Sequence, residues 1–190
     1  METKSIMIVG VGGQGSLLAS RLLGNVLLAQ GYDVKVSEVH GMSQRGGSVV
    51  TYVKYGDKVF SPVIERGEAD VIISFEQLES ARWLSFLKKG GKLITSTQKL
   101  DPMPVITGAA QYPDDIVEKI KKLNIEVTAV DALSLAEQAG NSKASNVVLM
   151  GVVASKTDFE DKLWQNAIEQ CVPAKFLELN KKAFELGKNC

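Results

Sequence analysis

Two glycine-rich stretches carry the residues of this sequence whose types and spacing suit chemistry. Gly10-Val11-Gly12-Gly13-Gln14-Gly15 fits the spacing GxGxxG. His40-Gly41-Met42-Ser43-Gln44-Arg45-Gly46-Gly47 gathers the single histidine of the protein with a guanidinium, an amide, a hydroxyl and a glycine pair. Glycines allow positive φ and a close backbone approach, and the free N–H groups at the start of a following helix favour an anion such as a phosphate or carboxylate. The first stretch therefore predicts either a cradle for an anion or a turn that only lets strand and helix pack closely. In the second, His40, Ser43, Gln44, Arg45 and Gly46 suit an anion or a partner's backbone, while Arg45 has an equal reading as an ion-pair partner that fixes the loop. A lone His40 is more readily a structural hydrogen-bonding residue than a general base. No Ser/His/Asp or Cys/His set, carboxylate pair or metal-ligand spacing accompanies it, so no catalytic or metal-binding residue is assigned.

The elements that must position these groups follow from periodicity. Ser5 to Val9 reads as a buried strand, and the apolar residues from Leu17 to Leu27 recur at helical spacing, giving a helix from Gln14 to Gln30. Asp33 to Val39 alternates as a second strand, whose C-terminal end brings the His40–Gly47 loop beside the first glycine turn. Ser48 to Tyr55 is a β-branched, aromatic strand, and Gly56-Asp57 before Lys58-Val59-Phe60 predicts a hairpin. Asp70 to Phe75 is a core strand, Glu76 to Lys89 a helix stopped by Gly90-Gly91, and Lys92 to Thr95 a strand. Prolines break the segment from Gln98 to Pro113, Asp114 to Leu123 is a helix, and Ile125 to Val130 is the last strand. From Asp131 onward only helical patterns remain. Among them Trp164, Ile168, Phe176, Leu179 and Phe184 serve either the core or a partner interface. The fold class is therefore α/β: a Rossmann-like, doubly wound, mostly parallel sheet with a β-hairpin insertion and a helical C-terminal third, in a single domain, 1–190.

Composition narrows the function. With 190 residues, 45% hydrophobic, the chain can bury a full core. Its 22 basic and 22 acidic residues form no like-charge block, so no field gathers nucleic acid or an anionic membrane. No apolar run reaches the roughly 18 residues that cross a bilayer, and the N-terminus leads directly into a strand, so a cytoplasmic location is expected. Cys171 and Cys190, far apart, build neither a disulfide framework nor an iron-sulfur cluster within the chain. An NAD site calls for an acid about 20 residues beyond the glycines, where Glu38 stands. The loop that follows Glu38 has no place in an ordinary NAD site, and NAD is discounted.

The glycine turn, the stretch Ser37-Glu38-Val39-His40-Gly41-Met42-Ser43-Gln44-Arg45-Gly46-Gly47-Ser48-Val49, Gly67-Glu68-Ala69-Asp70, then Asn141, Ala144, Ser145, Asn146, Val147 and Val148, Val172-Pro173 and Asn180-Lys181-Lys182-Ala183-Phe184 together resemble the gamma-type domain of pyruvate/2-oxoacid:ferredoxin oxidoreductases. Among these, the resemblance is strongest to the beta subunit of the indolepyruvate enzyme. It spans nearly the whole chain and implies the small subunit of an enzyme of anaerobic metabolism that decarboxylates a 2-oxoacid, releases acyl-CoA and carbon dioxide, and reduces ferredoxin. By the same resemblance, thiamine diphosphate and 4Fe-4S clusters sit on a large alpha-type partner subunit, CoA is the co-substrate, and this chain is inactive alone. Gly10, Gly12, Gly13, Gln14, Gly15, His40, Ser43, Gln44, Arg45 and Gly46 are the expected binding residues. Open alternatives are the gamma subunit of a pyruvate, 2-oxoglutarate or 2-oxoisovalerate enzyme, a free-standing nucleotide-binding or sensor module, and a purely structural assembly subunit.

Overall fold

The computed structural model describes residues 2–40 and 46–190, without the side chain of His40. Six strands form one sheet: β1 (Lys4–Val11), β2 (Asp33–His40), β3 (Ser48–Gly56), β4 (Ala69–Ser74), β5 (Leu87–Ser96) and β6 (Glu126–Val130). They lie in the order β2-β3-β1-β4-β5-β6, with β3 antiparallel to both its neighbours and β1, β4, β5 and β6 parallel. The helices are α1 (Ser16–Ala29), α2 (Gln77–Trp83), α3 (Met103–Ile106), α4 (Ile116–Lys121), α5 (Ala132–Ala139), α6 (Ser145–Ser155), α7 (Asp161–Cys171) and α8 (Leu177–Lys188).

Alternation along β1 sorts the core into two layers. Ile6 and Ile8 meet α1 and the helices of the C-terminal third, whereas Met7 and Val9 face the opposite layer, with Ile116 and Ile120 of α4. Trp164, Ile168 and Phe184 are fully enclosed on the first face, so the core takes most of the apolar surface of the C-terminal third, while Phe176 stays 42% exposed. From Asn146 to Ala154 every residue of α6 is buried. It crosses α8 where Gly151 and Gly187 bring the two backbones together: a Cβ on Gly187 would lie 1.9 Å from the Val148 carbonyl oxygen.

Two sequence expectations move. The hairpin is β2–β3, with Asp33 opposite Gly56 and His40 opposite Val49, whereas Lys58 to Phe60 lies outside any strand. The Asp33 carboxylate accepts the Val59 N–H at 2.8 Å, and Val59 and Ile64 are buried. The chain after Gly56 thus folds over the sheet as a cover. The helix expected up to Lys89 stops at Trp83, and after a single 3-10 turn β5 begins at Leu87. Leu84 and Leu87 satisfy helical spacing, but Leu87 pairs with Ala69 across a register shift in β5. Gly90, at φ 79°, and Gly91 fall within that strand, where a Cβ on Gly91 would meet the Ala69 and Asp70 carbonyls at 3.0 Å.

Asp70 ties this bulged region to β1. Burial raises its pKa, but hydrogen bonds from Lys88 and from the Ser5 N–H, with the charge of Lys4, outweigh that and hold it below the ordinary 3.8. A depressed folded-state pKa gives stability that is present above the unfolded-state value and lost as pH falls through the folded one. We expect Asp70→Asn to be less stable than wild type at pH 7 and the gap to close below about pH 4. Urea midpoints across that range test it, and a constant gap would contradict it.

Candidate functional site

In this topology the sheet order turns outward from β1, with β4 on one side and the β3–β2 hairpin on the other, so ligands are expected beyond the C-terminal ends of β1 and β4. Both glycine stretches meet there. The Gly12 N–H donates to the Gly47 carbonyl at 2.8 Å and the Gly46 N–H to the Gly12 carbonyl at 3.2 Å. The convergence expected of the two loops is therefore present at Gly46 and Gly47. Ser43, Gln44, Arg45 and the side chain of His40 lie outside the described residues.

Within the first turn the residues divide by role. Gly10 is buried in β1, and Gln14 folds back over it: its Oε1 accepts the Val11 N–H at 2.7 Å, while its Nε2 donates to the Phe75 carbonyl and to Gln98 Oε1, each at 3.0 Å. A Cβ on Gly10 would lie 2.9 Å from that Oε1. Gln14 thus staples the ends of β1, β4 and β5 together, and Gly10 makes room for it. Gly13, at φ 103°, has open space where a Cβ would be. Gly15, at φ 87°, is the N-cap of α1, which no side chain caps, so N–H groups of the first turn stay available. Its carbonyl accepts from Nδ2 of the buried Asn146, 3.1 Å away. Gly12, Gly13, Gly15, Ser16, Leu17 and Glu38 border a cavity of about 330 Å³. Because β3 separates β2 from β1, Glu38 stands two strand spacings, about 9.5 Å, from β1.

A second cavity, of about 320 Å³, shares Gly12 and Gly46 with this seam and is walled by Ser48, Glu79, Arg82 and Leu100 among others. Beside it are two carboxylates that the sequence reading passed over. Glu76, 1% exposed, accepts the Glu79 N–H at 2.9 Å, the Leu100 N–H at 3.2 Å and the Tyr112 hydroxyl. Glu79, 4% exposed, accepts from Arg82 Nε at 2.9 Å, Trp83 Nε1 at 3.2 Å and the Ser48 hydroxyl. Burial, reinforced by the Glu76 carboxylate, pushes the Tyr112 phenol well above its ordinary value. The available signal was an acid directly after the apolar run of β4 with a second acid three residues on, the spacing of an N-terminal cap. Among the described residues no group of three or more His, Cys, Asp or Glu is placed to hold a metal ion, and no helix is long and apolar enough to cross a membrane.

The sequence matches the family model described as pyruvate ferredoxin/flavodoxin oxidoreductase over residues 5–190. It is 44% identical to indolepyruvate oxidoreductase subunit IorB of Pyrococcus horikoshii, over 98% of this chain and 95% of the other. The fold is similar to the crystal structure of a keto/oxoacid ferredoxin oxidoreductase gamma subunit from Geobacter sulfurreducens, with TM-score 0.73 and 24% identity over 98% of this chain and 96% of that one. It is also similar to part of a 2-oxoglutarate:ferredoxin oxidoreductase from Magnetococcus marinus, solved with 2-oxoglutarate, coenzyme A and succinyl-CoA bound. There the TM-score is 0.76 and the identity 16%, covering all of this chain and 31% of that one.

Proposed function

We propose a division of labour from the premise that this chain belongs to the pyruvate ferredoxin/flavodoxin oxidoreductase family and is a small subunit of a 2-oxoacid:ferredoxin oxidoreductase. The 2-oxoacid is indolepyruvate or a related aryl pyruvate, a reading supported by the 44% identity to an indolepyruvate oxidoreductase subunit. Thiamine diphosphate and the 4Fe-4S clusters belong to a larger partner, which carries out decarboxylation and passes electrons to ferredoxin. Two cysteines at positions 171 and 190 cannot supply the four thiolates of a cluster. This chain closes the enzyme, and its crevice receives the anionic part of CoA.

The observation that carries the reading is the uncapped start of α1, beside the open space at Gly13 and bordering a cavity of about 330 Å³. A cavity of that volume is at the small end of ligand sites and fits part of CoA, the diphosphate meeting the helix N–H groups. Exposed apolar side chains suit a protein partner: Leu17, Val39, Met103, Ile106 and Phe176 are each at least 42% exposed. The complex is expected to bury more than about 2,000 Å².

Isolated, cofactor-free protein should show no 2-oxoacid-dependent reduction of a viologen dye, and mixing it with its large partner should raise the partner's rate at least tenfold. Turnover by the isolated chain, or no change on mixing, would sink the proposal. Gly13→Asp, which places a carboxylate in the crevice, should raise the KM for CoA in the reconstituted enzyme. Glu38 beside the same cavity favours a second reading, a free-standing nucleotide-binding module. Calorimetric titration of the isolated chain with NAD, NADP, FAD and CoA separates the two, since only the second requires tight binding of a dinucleotide without the partner.

A further inference from the structure

We infer that Glu79 is a positioning residue of the second cavity, which adjoins the crevice at Gly12, holding the Arg82 guanidinium and Ser48 in one geometry so that Arg82 receives a phosphate of the bound ligand. The inference rests on the reading of the crevice as the CoA site.

A carboxylate taken out of water is costly unless donors replace its hydration, and Glu79 has three, drawn from its own helix and from β3. One oxygen accepts from Arg82 Nε, and the other from Trp83 Nε1 and the Ser48 hydroxyl. Ser48 opens β3, immediately after Gly47, whose carbonyl holds Gly12. A shift of Ser48 therefore acts on the seam of Gly46 and Gly47 with Gly12, the residue that borders both cavities.

Arg82 is half-exposed, with 51% of its side chain accessible, on the wall of the second cavity. Among the described residues it makes one hydrogen bond, through Nε. The planar guanidinium has five donors in a fork, so the Nη hydrogens remain for a bidentate contact with an anion. Glu79 on the Nε side fixes the plane of that fork. The other acids of the cavity are not paired with it among the described residues: Glu76 accepts from three other donors, and Arg82 makes its ion pair with Glu79 and not with Asp101, which also lines the cavity.

The test is steady-state kinetics of the reconstituted complex with CoA varied at saturating 2-oxoacid, for Arg82→Gln, Arg82→Lys, Glu79→Gln and the double variant Glu79→Gln/Arg82→Gln. We expect Arg82→Gln and Glu79→Gln each to raise the KM for CoA about tenfold, with the change carried by KM and not kcat. Arg82→Lys should recover little, because an ammonium lacks the fork. The double variant should be no worse than the poorer single one, since Glu79 acts through Arg82. An unchanged KM for Arg82→Gln, or a double variant about a hundredfold worse, would overturn the inference. Melting temperature and assembly are measured for each variant. If Glu79→Gln fails to fold, Ser48→Ala takes its place, and Arg82→Gln, at a half-exposed position, remains decisive. If Gly13→Asp raises the KM for CoA and Arg82→Gln does not, this inference alone fails. If neither does, the crevice reading fails and takes it along.

Discussion

Gly187→Ala is expected to destabilise the fold by about 3 kcal/mol or more and to lower Tm by about 6–12 °C in a chain of this length. The added methyl carbon would lie 1.9 Å from the Val148 carbonyl oxygen and 2.7 Å from its carbon. These are backbone atoms in the middle of α6 and cannot swing aside as a flexible side chain does. Relief requires α8 to move away from α6, and Phe184, whose ring lies 5.7 Å from that of Trp164, moves with it. Gly151→Ala meets the reciprocal obstacle, the Phe184 carbonyl oxygen at 2.1 Å. Gly13→Ala is the comparison: its surroundings are open, and only the positive φ opposes it, worth about 1–2 kcal/mol. Thermal melts followed by circular dichroism decide the matter. A Gly187→Ala protein within 1 kcal/mol of wild type would mean that the helices are not in this contact.

The second large effect is expected at Glu76. Truncation to alanine leaves the Glu79 N–H, the Leu100 N–H and the Tyr112 hydroxyl without the acceptor that the buried Glu76 carboxylate supplies. A loss of about 3–5 kcal/mol follows from stranding donors of this kind. Glu76→Gln retains an acceptor and should lose less, and Tyr112→Phe, which removes one hydroxyl, about 1 kcal/mol. The loss should also be local in character. Leu100 and Tyr112 belong to the segment between β5 and α4, so amide hydrogen exchange in 98–113 should accelerate more than exchange in β1. A urea midpoint unchanged by Glu76→Ala, or uniform acceleration across the sheet, would contradict this account.

Most of the frame that carries the site is legible in the residues themselves. The apolar run before Gly10 and the helical spacing after Gly15 report β1 and α1 because both periods are local and uninterrupted. The pairing of Gly12 with Gly46 and Gly47 follows from the placement of two loops at one edge of the sheet. What local pattern hides is decided by distant partners. Gly56-Asp57 has good turn chemistry, yet Asp33 captures Val59 across the hairpin. Leu87 satisfies a helix as well as a strand, and Ala69 settles it by pairing with it. Glu76 and Glu79 look like solvent-facing acids of a short helix. Their burial depends on Ser48, Leu100 and Tyr112, from three other segments, and no spacing announces that. Gln14 sits in a motif position, and no local pattern shows that its amide closes the turn from within by bonds to Val11, Phe75 and Gln98.

The antiparallel strand between β2 and β1 has a kinetic meaning. Where an ordinary doubly wound sheet joins its second and third strands by a long crossover, β2 and β3 are neighbours in sequence as well as in space, joined over residues 33–56. Hairpins close in microseconds, whereas the pairing of β1 with β4 spans more than sixty residues, with Ile6 opposite Val71. One wall of the crevice is therefore built from the most local contacts of the sheet, and the β1 strand and its glycine turn are added to a ribbon already in register. A chain emerging from the ribosome frees that ribbon before β4 emerges.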